Sequence, residues 1–305
     1  MDRSPEQKHG LSKEADVGPQ RRGTFVGPDK NELVFDVCGP AAGPTAVLLH
    51  GGGQSRSSWR IAMQQLGDAG YRACAVDLRG HGESEWSPGG DYALERFVED
   101  LLRVIQGIGS PAVLIGASYG GQVSLVTAAR YPHLVRALIL CDVTPWIEGE
   151  ATKAMRLLMS DASSGFASLT DAARHLDTVS GRKSDRPPES LSKLMRLGED
   201  RRFYWRWDPR FFSTYAELGD GLTEAVSAAA KTLSVPTLLI RAELSEIVTP
   251  QQVAAFTKLV PHAVTVQLSG AHHMVTKGDN KMYASIFLEF LRSLSPHHAA
   301  LRPAT

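Results

Sequence analysis

The chain has 305 residues, of which 43% are hydrophobic, which is enough for one large folded domain with an inserted subdomain. Basic and acidic residues balance at 33 each, so the formal net charge is zero, and no electrostatic attraction to nucleic acid or anionic membranes is expected. No apolar run approaches the roughly 20 residues of a membrane span.

The two ends of the chain predict flexible tails over residues 1–22 and 296–305. The first is polar with mixed charges and lacks the apolar centre of a signal peptide. The three cysteines, Cys38, Cys74 and Cys141, each lie in or beside an apolar run. This placement predicts buried, reduced thiols and a cytoplasmic location.

Short apolar runs recur along the chain from about Thr24. Two strands are expected around a turn at residues 27–29. Nearly continuous apolar runs follow at 45–50, 71–78, 112–117, 136–143, 235–242 and 263–270. Runs of this length and composition predict parallel strands that are buried on both faces.

Helical periods separate these strands. In 92–108 and again in 282–294, apolar residues recur at steps of three and four on one face. Strands that alternate with helices predict an α/β fold with a doubly wound, mostly parallel sheet. In such sheets, ligands bind beyond the carboxyl ends of the strands.

The alternation stops between residues 146 and 214, which we expect to form a helical cap inserted into a core of residues 23–145 and 215–295. Helical patterns occur around 149–160, 165–177 and 189–198, and no strand run is visible. The stretch from 215 to 233 predicts a core helix. An aromatic cluster lies at the end of the cap and the start of this helix, comprising Phe203, Tyr204, Trp205, Trp207, Phe211, Phe212 and Tyr215.

A Gly-x-Ser-x-Gly pentapeptide, with Gly116, Ser118 and Gly120, lies between a predicted strand and a predicted helix. In this setting the pattern indicates a nucleophile elbow, in which a sharp bend exposes the serine hydroxyl. The small residues around Ser118 allow that bend. The helix that begins here directs free N–H groups to the site, and the N–H of Tyr119 is the predicted oxyanion donor. An ordinary glycine-rich turn is the alternative interpretation.

A second glycine-rich loop follows the strand at 45–50. Glycines let a backbone approach a bound group closely, and we expect a second oxyanion donor here, Gly52, with Gly53 as the reserve candidate. A phosphate-binding loop is the competing interpretation, but the loop lacks the spacing of either nucleotide-binding glycine motif.

A general base is expected in the loop at 268–275, which carries His272 and His273 after the last predicted strand. A neutral imidazole that takes the serine proton is the usual activator of such a nucleophile. Neither histidine has metal-type partners at helical spacing, so no metal is expected here.

Four motifs together resemble the α/β-hydrolase superfamily, in its serine-hydrolase branch, over residues 24–294. They are HGGGQSRSSW at 50–59, DLRGHGES at 77–84, GASYGG at 116–121 and GAHHMV at 270–275. The resemblance makes His81 a scaffold residue and gives His273 the catalytic position, with His272 in place of the glycine that usually precedes it.

The resemblance also implies that an acidic residue orients the histidine. Many members carry an aspartate after the strand at 235–242, where Ser245 stands here, and we expect the next residue, Glu246, to serve as the acid. Asp142 and Glu243 remain alternatives, since some members take the acid from the preceding strand.

These expectations imply hydrolysis of a carboxylic ester through an acyl-enzyme, without a cofactor. Lactone, thioester or carbon–carbon bond hydrolysis are alternatives, and so is perhydrolysis, while a receptor without catalysis is a rival of another class. The expected partner is a small, apolar, ester-type substrate, and the sequence leaves the oligomeric state open. The candidate pocket residues are Gly53, Trp146, Trp205, Trp207 and Phe211, with Met155, Met159 and Met195 available from the cap.

Overall fold

A computed structural model describes residues 20–146, 164–180, 187–273 and 277–294. The strands are β1 Arg21–Val26, β2 Glu32–Cys38, β3 Thr45–Leu49, β4 Arg72–Val76, β5 Ala112–Ala117, β6 Val135–Cys141, β7 Met195–Leu197, β8 Phe203–Trp205, β9 Thr237–Ala242 and β10 Val264–Leu268. The α-helices are α1 Arg60–Asp68, α2 Leu94–Ile108, α3 Ser118–Arg130, α4 Leu169–Ser180, α5 Pro209–Lys231, α6 Pro250–Leu259 and α7 Lys277–Ser293.

Eight of the strands form one sheet in the order β1-β2-β4-β3-β5-β6-β9-β10. Strands β4, β3, β5, β6, β9 and β10 are parallel to one another, and β2 is antiparallel to both of its neighbours. The predicted α/β class with a mostly parallel sheet is therefore confirmed. Parallel strands place the loops that follow β3, β5, β6 and β9 at one edge of the sheet.

The central strands are apolar along their whole length because both faces of the sheet are covered. In β3, Val47 and Leu49 belong to a core shared with residues of α2, α3, α5 and α6. The alternate residues Ala46 and Leu48 belong to a second core shared with residues of α1 and α7. Burying a leucine or valine in this way contributes about 1.5–3 kcal/mol. The three cysteines are buried and free, as predicted.

The sheet begins earlier in the chain than the sequence suggested. Strand β1 starts at Arg21, inside the predicted tail, because residues 21–26 pair with β2 in an antiparallel hairpin. The predicted turn at residues 27–29 is present, and the N–H of Lys30 donates to the carbonyl of Gly27.

The expected cap contains strands as well as helices. Helix α4 lies where a helix was predicted, but 188–193 is a short 3₁₀ helix and β7 follows it. The prediction of helix over 189–198 is wrong there, because Met195 pairs with Trp205 in β8 and both side chains are buried. The predicted helix at 149–160, with Met155 and Met159, lies outside the described residues.

Helix α5 also begins earlier than predicted, at Pro209, where the carboxylate of Asp208 accepts from the N–H of Arg210 and caps the helix. The helix continues into the predicted core helix, with a break in its backbone conformation at Gly219. Within the described ranges, no helix combines the length and apolar character that crossing a membrane requires.

Candidate active site

Ser118 lies at the junction of β5 and α3, where the chain changes direction within one residue. Its φ of 48° is in the left-handed region, which residues with a side chain rarely adopt. The bend is crowded. A Cβ on Gly116 would come within 2.5 Å of the Gly120 carbonyl oxygen, and a Cβ on Gly121 would collide with Val143. The glycines are therefore needed to bring Ser118 to the sheet edge in a half-buried position.

The helix that follows Ser118 begins without a side-chain cap. The first N–H groups of an α-helix have no partner inside the helix, and Tyr119 supplies one of them. The side chain of Tyr119 is buried among the rings of Phe97, Phe211 and Tyr215, which fixes the first turn of α3. The backbone of this turn thus faces the site while the side chain anchors it.

The glycine loop after β3 lies directly against the serine. A Cβ on Gly51 would be 3.0 Å from the Cβ of Ser118. Gly52 is half-buried, and its N–H makes no hydrogen bond within the described part of the chain. The predicted donor, the Gly52 N–H, therefore belongs to the loop that contacts Ser118 and makes no bond to the described residues.

His273 is bonded to Asp142, not to Glu246. The Nδ1–H of His273 donates to Oδ2 of Asp142 at 2.7 Å, and Asp142 is fully buried. Asp142 directly follows β6, and its φ of 50° turns the side chain across the sheet edge. The expectation that Glu246 pairs with the histidine is replaced by this geometry, because Nδ1 is already occupied.

The other oxygen of Asp142 accepts from the N–H of Ala242 at 2.9 Å. Asp142 and Ser118 follow residues that pair across neighbouring strands, since Cys141 of β6 lies opposite Ala117 of β5. The register of the sheet therefore places the carboxylate one strand from the serine. With an acceptor-only carboxylate on Nδ1, the Nε2 of His273 is left as the basic nitrogen.

The two glutamates after β9 have other surroundings. Glu246 is exposed, and the preceding hydroxyl of Ser245 accepts from the N–H groups of Ile247 and Val248. Oε2 of Glu243 accepts from the N–H of Gly270 at 2.8 Å. Glu243 thus links the loop after β9 to the loop that carries His273. It bonds the backbone of that loop and not the imidazole of His273.

Two further histidines near the site are structural. The Nε2 of His50 accepts from the N–H of Leu78 at 3.0 Å, and the Nδ1–H of His81 donates to the carbonyl of Arg79 at 3.0 Å. Both side chains are fully buried. Burial lowers the pKa of His50 to about 4 and the pKa of His81 to about 3. These neutral rings fit the scaffold role that the resemblance implied for His81.

The candidate pocket residues differ in how deeply they are buried. Trp205, Trp207 and Phe211 are buried in the apolar core, and the two tryptophan rings stack at 4.5 Å between centroids. This placement favours packing of the cap region as their role. Trp146 is half-buried, and Gly53 is buried with a φ of 72°.

Together these groups suit one kind of chemistry. A hydroxyl in a strained turn, a histidine bonded to a buried carboxylate and the candidate backbone donors Gly52 and Tyr119 are the kinds of group that nucleophilic acyl transfer uses. Sequence reasoning placed Glu246 first and kept Asp142 as an alternative. The adjacency of β5, β6 and β9 would have favoured Asp142, but the strand order is not visible in the sequence.

The chain matches the family model for the alpha/beta hydrolase fold over residues 44–277, and it therefore belongs to this family. It is similar to the 2-(acetamidomethylene)succinate hydrolase of Mesorhizobium japonicum, with 26% identity over 88% of this chain and 91% of that protein. It is also similar to an esterase of Mycobacterium tuberculosis, with 31% identity over 72% of each chain.

Among solved structures, that of an E-2-(acetamidomethylene)succinate hydrolase superposes with a TM-score of 0.77. The match covers 90% of this chain and 100% of that one at 24% identity, so it shows a shared fold and no more. The feature that the two named sequence relatives share is hydrolase activity.

Proposed function

We propose that the protein is a serine hydrolase that cleaves carboxylic esters through an acyl-enzyme. The observation that carries the proposal is the bond between His273 Nδ1 and the buried Asp142 carboxylate, at the same sheet edge as the strained Ser118. The esterase and hydrolase names of the relatives support the same class of reaction.

In the proposed mechanism, Ser118 Oγ attacks the ester carbonyl carbon and its proton passes to Nε2 of His273. Asp142 holds the imidazole by its Nδ1–H and stabilises the imidazolium that forms. The N–H groups of Gly52 and Tyr119 bind the oxyanion of the tetrahedral intermediate. The imidazolium then protonates the leaving alkoxide as the C–O bond breaks.

Water completes the cycle by the same groups. His273 removes a proton from a water molecule, whose oxygen attacks the carbonyl of the acyl-serine, and the second oxyanion occupies the same backbone donors. Collapse of this intermediate returns the proton to Ser118 and releases the carboxylic acid. Every step uses residues of this chain and water.

Several classes of carbonyl compound present the electrophile that this mechanism needs. The substrate name of one relative contains an acetamido group, and the other relative is an esterase, so the fold accommodates more than one acyl compound. Lactones, thioesters and carbon–carbon bonds beside a carbonyl present the same electrophile to Ser118. We place esters first because one of the named relatives is an esterase, and because His273 can protonate the alkoxide oxygen as it leaves.

Covalent labelling tests the mechanism. A fluorophosphonate probe should label the wild-type protein and leave Ser118→Ala unlabelled, since the probe needs a nucleophilic serine. Ser118→Ala should also lose on the order of 10⁶ in kcat toward p-nitrophenyl esters. A wild-type protein that stays unlabelled would instead indicate a receptor without catalysis.

A screen of p-nitrophenyl esters of graded acyl length, run beside lactones and thioesters, tests the bond and the substrate class. The proposal expects the highest kcat/KM for an ester with an apolar acyl chain. A lactone or thioester turned over at least a hundredfold faster than every ester would reassign the substrate while keeping the mechanism.

A further inference from the structure

The peptide group that joins Gly51 to Gly52 is clamped from its carbonyl side. Two donors bond the carbonyl oxygen of Gly51, the Nδ1–H of His50 at 2.7 Å and the N–H of Gln54 at 3.2 Å. The N–H on the opposite side of the same planar peptide belongs to Gly52. Fixing the carbonyl therefore fixes the direction of the Gly52 N–H.

The preceding peptide group is held by a side chain. Oε1 of Gln54 accepts from the N–H of Gly51 at 3.1 Å, and Gln54 is buried. Residues 51–53 are all glycine, and a run of three glycines has more backbone freedom than any other sequence. Without these bonds, the loop would populate orientations in which the Gly52 N–H points elsewhere.

From this arrangement we infer that Gln54 is a positioning residue that preorganises the oxyanion hole through the Gly51 N–H. The inference rests on the proposed function, since an oxyanion hole has meaning only for a hydrolase. The geometry also places Gln54 close to the nucleophile. Its Oε1 lies 3.4 Å from the position of a Cβ on Gly51, and that same position is 3.0 Å from Ser118 Cβ.

The absence of charge on the Gln54 amide also favours a position near an oxyanion. A developing oxyanion near Gly52 would be repelled by a carboxylate in the same position, whereas an amide supplies an acceptor without a net charge. Preorganised backbone donors are worth about 10²–10³ in kcat when one is lost outright. A loop that is loosened but keeps its donor should lower kcat by about tenfold.

The test uses Gln54→Met, which keeps the length of the side chain and removes the whole amide, including the oxygen that accepts from the Gly51 N–H. We expect kcat on a p-nitrophenyl ester to fall about tenfold, with KM within twofold and the thermal midpoint within a few degrees of wild type. The affinity for an alkylboronic acid, which forms a tetrahedral adduct with the serine, should fall in proportion to kcat/KM. The preference for an oxoester over its thionoester should fall as well.

Gln252→Met is the matched control. Gln252 also bonds backbone groups, accepting from the Thr249 N–H and donating to the Trp146 carbonyl, but it does so at the start of α6. It should cost stability at that helix without changing the ratio of oxoester to thionoester rates. A structural role for Gln54 would make the two variants behave alike.

The outcomes separate the two proposals. A fluorophosphonate-labelled wild type together with Gln54→Met activity and boronate affinity within twofold of wild type would overturn the inference about Gln54 alone. Loss of activity that merely follows the thermal midpoint, with boronate affinity unchanged, would overturn it as well. An unlabelled wild type would overturn the proposed function, and the inference with it.

Discussion

Both oxygens of the Asp142 carboxylate are occupied, one by the N–H of Ala242 and one by the ring of His273. The carboxylate is removed from solvent, so the two bonds are not weakened by competing water. At the scale of single residues, Asp142 therefore orients His273 in one tautomer, and its replacement should affect catalysis far more than its neighbours' replacement.

Asp142→Asn should lower kcat by about 10⁴, because an amide presents a donor or a neutral acceptor to Nδ1 and no longer stabilises the imidazolium. Glu246→Gln should stay within a few fold of wild type, and so should Glu243→Gln, whose amide oxygen still accepts from the Gly270 N–H. Steady-state kinetics on one p-nitrophenyl ester compare the three variants. A crippled Glu246→Gln beside an active Asp142→Asn would restore the original assignment.

The difference between Glu246 and Asp142 shows where sequence reasoning reaches its limit. The elbow around Ser118 could be predicted because local spacing and small residues define it, and the resemblance of GAHHMV to the family motif pointed to His273. The acid could not be predicted, because its role depends on which strand lies next to β5 and on the backbone turn at Asp142. Gln54 was invisible for a similar reason, since its importance comes from a bond to the backbone.

At the scale of secondary-structure elements, α5 connects the cap region to the site. Its first turn carries Phe211 and Phe212, whose rings would lie 3.2 Å and 3.3 Å from a Cβ on Gly52. The loop that follows β3 and the start of α5 are therefore in direct contact. A change in one of them must be accommodated by the other.

Gly52→Ala tests this contact. The added methyl group would push on both phenylalanine rings, so we expect a loss of about 1–3 kcal/mol in stability and a lower kcat, as the loop and α5 separate. Gly89→Ala is the control, because a Cβ at Gly89 meets no atom within 4 Å. Thermal unfolding and ester kinetics, measured on both variants, check the result. If Gly52→Ala had wild-type stability and kcat, the two phenylalanine rings of α5 would have to move aside without loss of stability.

Two glycines in α5 should respond in opposite directions to the same substitution. Gly219 has a φ of 42° and a ψ of −122°, outside the helical region, whereas no such φ occurs at Gly221, and neither position has an atom within 4 Å of an added Cβ. Gly219→Ala should therefore destabilise the protein by about 1 kcal/mol or more through backbone strain alone. Gly221→Ala should stabilise it by about 0.5–1 kcal/mol.

Denaturant unfolding of these two variants provides the measurement. Equal effects of the same sign would indicate that α5 is continuous through Gly219 in solution. The sequence predicted a helix around Gly219, but nothing in it indicated the break in backbone conformation at that residue.

At the scale of the whole molecule, the sheet and its two cores followed from the sequence because strands covered on both faces are apolar throughout. The small β7–β8 pair did not, because three-residue strands leave no periodic pattern. Two ionisable side chains are buried in loops that follow strands of the sheet. His50 and His81 lie fully buried, with 5.3 Å between their ring centroids.

These two histidines should make the stability of the molecule depend on acid pH. Their pKa values in the folded protein, about 4 and about 3, are below the ordinary value of 6.5, chiefly through burial. The unfolded chain therefore binds more protons below pH 6.5, and the free energy of unfolding should fall as the pH drops from 6.5 toward 4. Each histidine contributes roughly 1 kcal/mol per pH unit in that window.

Urea unfolding at half-unit steps from pH 7.5 to pH 4.5 measures this slope. His81→Phe should reduce it, because one buried group that must stay neutral has been removed. His133→Asn, at an exposed position, should leave the slope as in wild type. A slope that is the same in all three proteins would assign the acid sensitivity to other groups.

The left-handed backbone at Ser118 has a consequence for how far the enzyme could be stabilised. Glycine adopts a φ of 48° without strain, whereas serine and alanine do not. Ser118→Gly should therefore unfold roughly 2 °C above both Ser118→Ala and the wild-type protein in a calorimeter. Such a difference would mean that selection for turnover keeps this chain below the robustness its own fold permits, and that an inactive descendant could gain robustness by a single substitution.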